Sequence, residues 1–413
     1  MAAKLGDLIY SRIGELARIS DGPDRLTRVY LSPAHKQATG LVARWMREAG
    51  MSVRIDATGN VVGRREGSAA NAPALLVGSH IDTVRDAGRF DGNLGVLTGI
   101  AVVGELAARQ VLHPFAIEVV AFGDEEGVRF ASTLGGSRAL AGTFDPAILG
   151  ECDEDGVSRR QALVDFGCDP AAIASEARSA ATALAYIEVH IEQGPVLEAE
   201  DLPVGVVTAI SGATRASVAV AGEPGHAGTV PMHGRRDALA AAAEMVLAVE
   251  ARAKAEPDLV ATVGRLSLAN PAGNTIAGKV QFSLDVRSPL DAARASAVAD
   301  IKTAFARIAA QRNVGVAVAL TYDAPATPCD AHLMQLLASG IEGSGLRVRQ
   351  LPSGAGHDAM AFRDRLPVAM LFVRCRGGIS HNPAEHATAA DIEVAARVLL
   401  AFVDSYARER HGR

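Results

Sequence analysis

The chain has 413 residues, 49% hydrophobic and 21% charged, an ordinary globular composition that leaves no long stretch for disorder. A formal net charge of -6 gives no basic footprint for nucleic acid or an anionic membrane surface. Four scattered cysteines argue against a disulfide framework or a thiolate metal site and fit a reducing cytosol, so a cytoplasmic protein of two domains is expected.

At the start, Leu5, Leu8, Ile9, Ile13 and Leu16 recur at helical spacing and Lys4, Asp7, Arg12 and Glu15 interrupt them. That predicts an amphipathic helix, since a signal peptide needs an unbroken apolar centre. No segment offers the roughly 18 apolar residues of a membrane span. Apolar runs at 74–78 and 117–123 alternate with a helical pattern at 94–108, which predicts a parallel sheet wrapped by helices. In such sheets functional residues gather in the loops after strand C-termini.

From residue 213 the pattern changes to strand 216–221, helix 237–255, strand 260–268, strand 279–287, helix 290–311 and strand 314–321. Val280, Phe282, Leu284 and Val286 alternate with polar residues, as in a half-buried strand. The order β-α-β-β-α-β is ferredoxin-like. An apolar run at 368–373 and a helix at 391–408 return to the first type. The predicted fold class is therefore α/β. A discontinuous domain, residues 1–212 and 329–413, carries a mostly parallel sheet flanked by helices. An inserted ferredoxin-like α+β domain fills 213–328.

The chemistry-bearing residues cluster at the predicted strand ends. His80 and Asp82 in Gly78–Thr83 are two apart, so on a strand end they point the same way and one can ligate while the other holds the imidazole tautomer. Asp91 lies in a turn where a carboxylate can bridge two cations. Asp124, Glu125 and Glu126 are adjacent acids after a buried strand, a costly arrangement that a cation relieves. His190 and His381 each follow apolar runs. Each motif alone fits a capped structural histidine or a solvated acidic loop. Together they suggest a metal centre of oxygen and nitrogen ligands, suited to Zn²⁺, Mn²⁺, Co²⁺ or Ni²⁺.

The motifs GSHIDTV, RFDGNLGV, GDEEGVRF, VHIEQGPVLE, GHAGTVPM, LDVRSP, SGAGHDAM and GGISHNPAEH occur in order from about residue 78 to 386. In these the chain resembles the amidase, hydantoinase/carbamoylase branch of the metallo-aminoacylase and carboxypeptidase superfamily. The resemblance implies two divalent metal ions per subunit, with Asp91 bridging, His80 and His190 completing one site, and Glu126 and His381 the other. It implies that Glu125 is the catalytic base, and Asp82 is counted with it among the catalytic residues. It makes His226 the oxyanion donor, and Gln193, His226, Asn274, Arg287, Gly356 and His357 the substrate pocket, with Arg287 clamping a carboxylate. His190, where related peptidases carry a carboxylate, favours the amidase branch. The inserted domain would be a lid that closes on hinges near Gly212 and 325–328, and would pair two chains as a homodimer.

The implied reaction is cleavage of a ureido or carbamoyl C–N bond in a small carboxylic acid, with no nucleic acid or membrane partner. The wording of GVRF, GHAGTVPM and LFVRCRGGISHNPAEH is nearest the plant-type allantoate enzymes, and Arg374 and Arg376 could meet a second ureido arm. N-carbamoyl-L-amino acids and β-ureidopropionate are the alternatives. An inactive binding protein on the same fold is a reading from another class, which would lack the ligand residues that are all present here.

Overall fold

The computed structural model describes residues 4–411 and resolves them into two compact units. The first comprises the chain up to Thr208, Pro328–Leu351 and the chain from Gly356 onward. Its sheet runs in the order Ser52–Ile55, Val61–Arg65, Ala116–Phe122, Ala74–His80, Ala183–Ile191, Val368–Val373 and the strand that begins at Val204. The four central strands are mutually parallel, and the flanking pairings are antiparallel. Every residue of Ala74–His80, Ala116–Phe122 and Val368–Val373 is buried, as strands covered on both faces require.

The helix Asn93–Ala108 is buried nearly all round, consistent with its apolar composition on every face. The helix Leu5–Leu16 turns Ile9, Ile13 and Leu16 inward and packs against the C-terminal helix Ala389–His411. The helix Pro33–Glu48 starts with Ser32 accepting the His35 amide and with proline in its first turn. Among the described residues no helix is long and apolar enough to cross a membrane. All four cysteines are free.

The second unit comprises Ala209–Thr327 and Pro352–Ala355. Its antiparallel sheet runs Leu266–Leu268, Lys279–Ser288, Gly212–Ala221, Gly315–Ala324, and Val260–Thr262 also pairs with Lys279–Ser288. The helices Ala238–Lys254 and Asp291–Gln311 cover one face, where Val218, Val220, Met245, Phe282, Leu284 and Phe305 form the core. The other face carries the polar partners of the alternation, including Asp285 and Arg287.

Two expectations need correction. The predicted strand 260–268 is two short strands interrupted between Thr262 and Leu266, each pairing a different stretch of Lys279–Ser288. Gly212, expected as a hinge, is paired with Ser288 inside the second unit's ladder, four residues past the Thr208/Ala209 division.

Candidate metal centre

The parallel strands deliver the site. His80 is the last residue of Ala74–His80, His190 the penultimate residue of Ala183–Ile191, and Glu125 and Glu126 follow Ala116–Phe122 within four residues. Asp91 sits just before the helix Asn93–Ala108, and His381 lies in the loop after Val368–Val373. All of these strands end at the same edge of the sheet, so residues as far apart as His80 and His381 meet there.

Asp91 is the centre of the cluster. One carboxylate oxygen is 3.3 Å from His80 Nε2 and 3.1 Å from His190 Nε2, and the two Nε2 atoms are 3.5 Å apart. His80 Nδ1 lies 3.0 Å from the Asp82 carbonyl and His190 Nδ1 lies 3.0 Å from the Ile191 carbonyl. A carbonyl only accepts, so each Nδ1 carries the proton and each Nε2 presents a lone pair. One amide, Gly92 N–H at 3.2 Å from His190 Nε2, faces these acceptors. Three buried acceptors converging on one point fit a cation. Burial pulls both imidazoles down in pKa, but the acids override it, Asp82 and Asp91 for His80 and Asp91 for His190, so the spot favours positive charge.

The other Asp91 oxygen is 3.5 Å from His381 Nε2, which is 3.5 Å from a Glu126 oxygen. Asp91, Glu126 and His381 thus form a second group able to hold a cation, and it shares Asp91 with the first. Glu125 has an oxygen 4.0 Å from His80 Nε2. Burial, then Glu126, Asp358 and Asp82, push its carboxyl well above the usual range despite His80. Burial and Asp91 raise Glu126 to about 8.

The supporting residues are partly those expected. Asp82 backs His80 as expected, with its backbone carbonyl 3.0 Å and its Oδ1 3.6 Å from His80 Nδ1, and its carboxylate also accepts the amide protons of Glu125 at 3.2 Å and Glu126 at 3.1 Å. Gly92 has φ +65°, and a Cβ there would overlap the His80 ring, so the Asp91 turn demands glycine. Gln193 donates from Nε2 to Asp91 at 2.8 Å, and its Oε1 is buried with no hydrogen-bond partner among the described residues. His357 is buried edge-on to His190, ring centroids 4.6 Å apart, and burial lowers its pKa well below the usual value. Gly356 brings open backbone beside Glu125.

Asp124 leaves the acidic triplet. It pairs with the buried Arg159 guanidinium, so an arginine relieves its charge where a cation was expected, and burial still raises its pKa to about 7. Arg374 is also engaged, by both Asp391 oxygens at 3.1 and 2.7 Å and by Asp201 at 2.7 Å, which overturns its expected role at a ureido arm. The sequence reading missed Arg159, Ser380 and Glu385. None lies in a spacing that marks a ligand, although Ser380 and Glu385 both fall inside a quoted motif.

In the second unit, His226 and Asn274 come together. His226 pairs with Thr275 in a two-stranded ribbon, and the Asn274 carbonyl accepts the Ala227 amide at 2.9 Å. Gly228 donates its amide to His226 Nδ1 at 3.0 Å, so Nε2 of this exposed ring carries the proton. Arg287 donates from Nε and Nη2 to the two Asp285 oxygens, both at 2.9 Å, and from Nη1 to the Gly354 carbonyl at 2.7 Å. It lines a cavity of about 600 Å³ with Arg215, Arg265 and Tyr322's neighbour Thr321.

The profile of the peptidase family M20/M25/M40 matches residues 76–405. The chain belongs to this family. Enzymes of the M20 family are metal-dependent, and this M20 chain is a hydrolase acting on C–N bonds. It is 42% identical to the "Probable allantoate deiminase" of Oryza sativa subsp. japonica, over 98% of this chain and 89% of that protein. It is 40% identical to the N-carbamoyl-L-amino acid amidohydrolase of Geobacillus stearothermophilus, over 95% and 97%. The crystal structure of an amidase of the hydantoinase/carbamoylase family from Burkholderia multivorans superposes with a TM-score of 0.91 at 36% identity, covering 97% of each chain. The hydantoinase/carbamoylase resemblance drawn from the motifs is thereby borne out.

Proposed function

We propose that this M20 hydrolase is a binuclear-metal amidohydrolase that cleaves the ureido C–N bond of a small carboxylic acid, with allantoate as its substrate. The carrying observation is the double use of Asp91, one oxygen facing His80 and His190 and the other facing His381. His80, His190 and Asp91 would hold one cation and Glu126, His381 and Asp91 the other. Two divalent ions, Mn²⁺ or Zn²⁺ foremost, supply Lewis acidity toward the ureido carbonyl and acidify water.

The chain's own residues do the rest. Glu125, kept basic by burial and its acidic neighbours, takes a proton from the attacking water. Oxygen adds to the ureido carbon, the C–N bond breaks, and Glu125 returns the proton to the leaving nitrogen, releasing ammonia and a carbamate that loses CO₂. A ureido carbon is a poor electrophile because two nitrogens feed electrons into it. Donors to the developing oxyanion therefore matter, and the His226 Nε2–H is of the right polarity. Gln193 Oε1 is an acceptor for a ureido N–H. Arg287 takes the substrate carboxylate.

Allantoate leads because of the 42% identity to the rice protein and the sequence wording shared with plant enzymes. N-carbamoyl-L-amino acids are the second reading, favoured by the 40% identity over 97% of the Geobacillus enzyme. The test is kcat/KM for allantoate, N-carbamoyl-L-amino acids and β-ureidopropionate on enzyme loaded with Mn²⁺ or Zn²⁺. Allantoate should lead by at least tenfold. Equal or better turnover of a carbamoyl amino acid would transfer the assignment, and no ammonia from any of them would end the proposal.

A further inference from the structure

Glu385 lies between His381 and the C-terminal helix and is 3% exposed. Its Oε1 accepts the amide protons of Phe90 at 2.6 Å and Asp91 at 3.0 Å. Its Oε2 is 3.1 Å from Ser380 Oγ, and that hydroxyl is 2.6 Å from Asp91 Oδ2. Gly88 makes room for this carboxylate, since a Cβ there would overlap it. Nothing in the chemistry of C–N cleavage calls for a buried acid here, and a buried carboxylate beside Asp91 costs free energy through like charge and desolvation. What it does is grip the backbone of Asp91 from a segment 294 residues away.

We propose that Glu385 is a positioning residue for the metal centre: it fixes the Asp91 backbone directly and the Asp91 carboxylate through Ser380. The two backbone bonds set where the Asp91 side chain leaves the main chain. The Ser380 hydroxyl, with Gln193 Nε2 at 2.8 Å, holds Oδ2 on the His381 side, which leaves Oδ1 on the side of His80 and His190. The same Glu385–Ser380 bond steadies the segment that bears His381. One carboxylate thus ties the loop of the shared acid to the loop of a histidine on its far side. The inference rests on the reading of Asp91 as a shared ligand.

The test measures affinity of the metal-free full chain for Mn²⁺ and Zn²⁺ by competition with a chromophoric chelator, alongside the urea midpoint of the metal-free protein. Glu385→Ala should weaken metal affinity about 10–100-fold, the usual cost of removing a group that orients a ligand. Glu385→Gln keeps an oxygen for both amides and should recover most of that loss. Gly88→Ala pushes the carboxylate out and should reproduce Glu385→Ala, and the double variant should be no worse than either alone. Wild-type affinity in both Glu385→Ala and Gly88→Ala would overturn the proposal. So would a loss that appears only where the metal-free urea midpoint collapses, for that would make Glu385 a packing residue. A wild-type chain that takes up no divalent ion would instead defeat the reading of Asp91, and this inference with it.

Discussion

His80 and His190 face each other with Nε2 atoms 3.5 Å apart, and each ring has its Nδ1 proton committed to a backbone carbonyl. Two lone pairs and an Asp91 oxygen in such proximity repel unless a cation lies among them, so metal occupancy should be a stability determinant as well as a catalytic one. A cation at 100 times its Kd adds about 2.7 kcal/mol to the folded state. Chelation should lower the thermal midpoint and end ammonia release, and Mn²⁺ or Zn²⁺ should restore both. A midpoint indifferent to chelator would contradict the site. His190→Phe should remove the metal-dependent part of the midpoint while leaving the chelated value close to wild type.

Glu125 and Glu126 are neighbours with different tasks, because the Asp82 carboxylate pins both amides and turns the two side chains apart. Glu126 faces His381, whereas Glu125 stands 4.0 Å from His80 Nε2. Glu125→Gln should therefore lower kcat by about 10²–10⁴, the contribution typical of a positioned general base, with metal content unchanged. Glu126→Gln should lose metal. Elemental analysis of both purified variants reads the difference, and metal loss in Glu125→Gln would exchange the two assignments.

Arg287 has its Nε edge filled by Asp285 and one Nη1 proton on the Gly354 carbonyl. One proton on Nη1 and one on Nη2 are left for a carboxylate, and Asp285 fixes the direction of the guanidinium. Arg287→Ala should raise KM by the loss of a charged hydrogen bond, about 1.5–3 kcal/mol, or roughly 10–150-fold, with kcat little changed. Arg287→Lys should not rescue it, since an ammonium lacks the planar fork. Unchanged KM in steady-state assays with allantoate would remove Arg287 from substrate binding.

What was legible in the sequence follows from range. Strand and helix periodicity is local, so Ala74–His80, Asn93–Ala108 and Val368–Val373 could be read from a dozen residues each. The convergence of His80, Asp91, Glu126, His190 and His381 was legible because each sits near a strand end or in a tight turn, and those leave motifs. Glu385 and Arg159 were not. Glu385 acts on backbone amides nearly three hundred residues away, and Arg159 begins an ordinary helix with no marker of its pairing to Asp124. The division of Asp82 between carbonyl and carboxylate was equally hidden, since sequence shows the residue and not which of its oxygens is used. The break between Thr262 and Leu266 falls at Val263, Gly264 and Arg265, where the glycine inside a strand pattern was the one available signal.

Away from the metal centre, His35 should set part of the acid limit of stability. Its ring is fully buried, stacked on Phe166 with centroids 5.3 Å apart, and its Nδ1 accepts the Leu31 amide at 3.1 Å. Accepting requires the neutral ring, and burial lowers its pKa from 6.5 to about 4. The unfolded chain therefore binds a proton on this residue at a pH where the folded chain does not. Stability from this group is intact above pH 6.5, falls as pH drops below that value, and levels off below about pH 4. The full cost is roughly 3 kcal/mol, of which about 2 kcal/mol is reached at pH 5. Glutamine can keep the Leu31 bond but cannot titrate. Urea midpoints of wild type and His35→Gln at pH 8 and pH 5, taken on metal-free protein, should show a smaller drop in the variant by that amount. An equal drop in both would mean that other groups govern the acid limb.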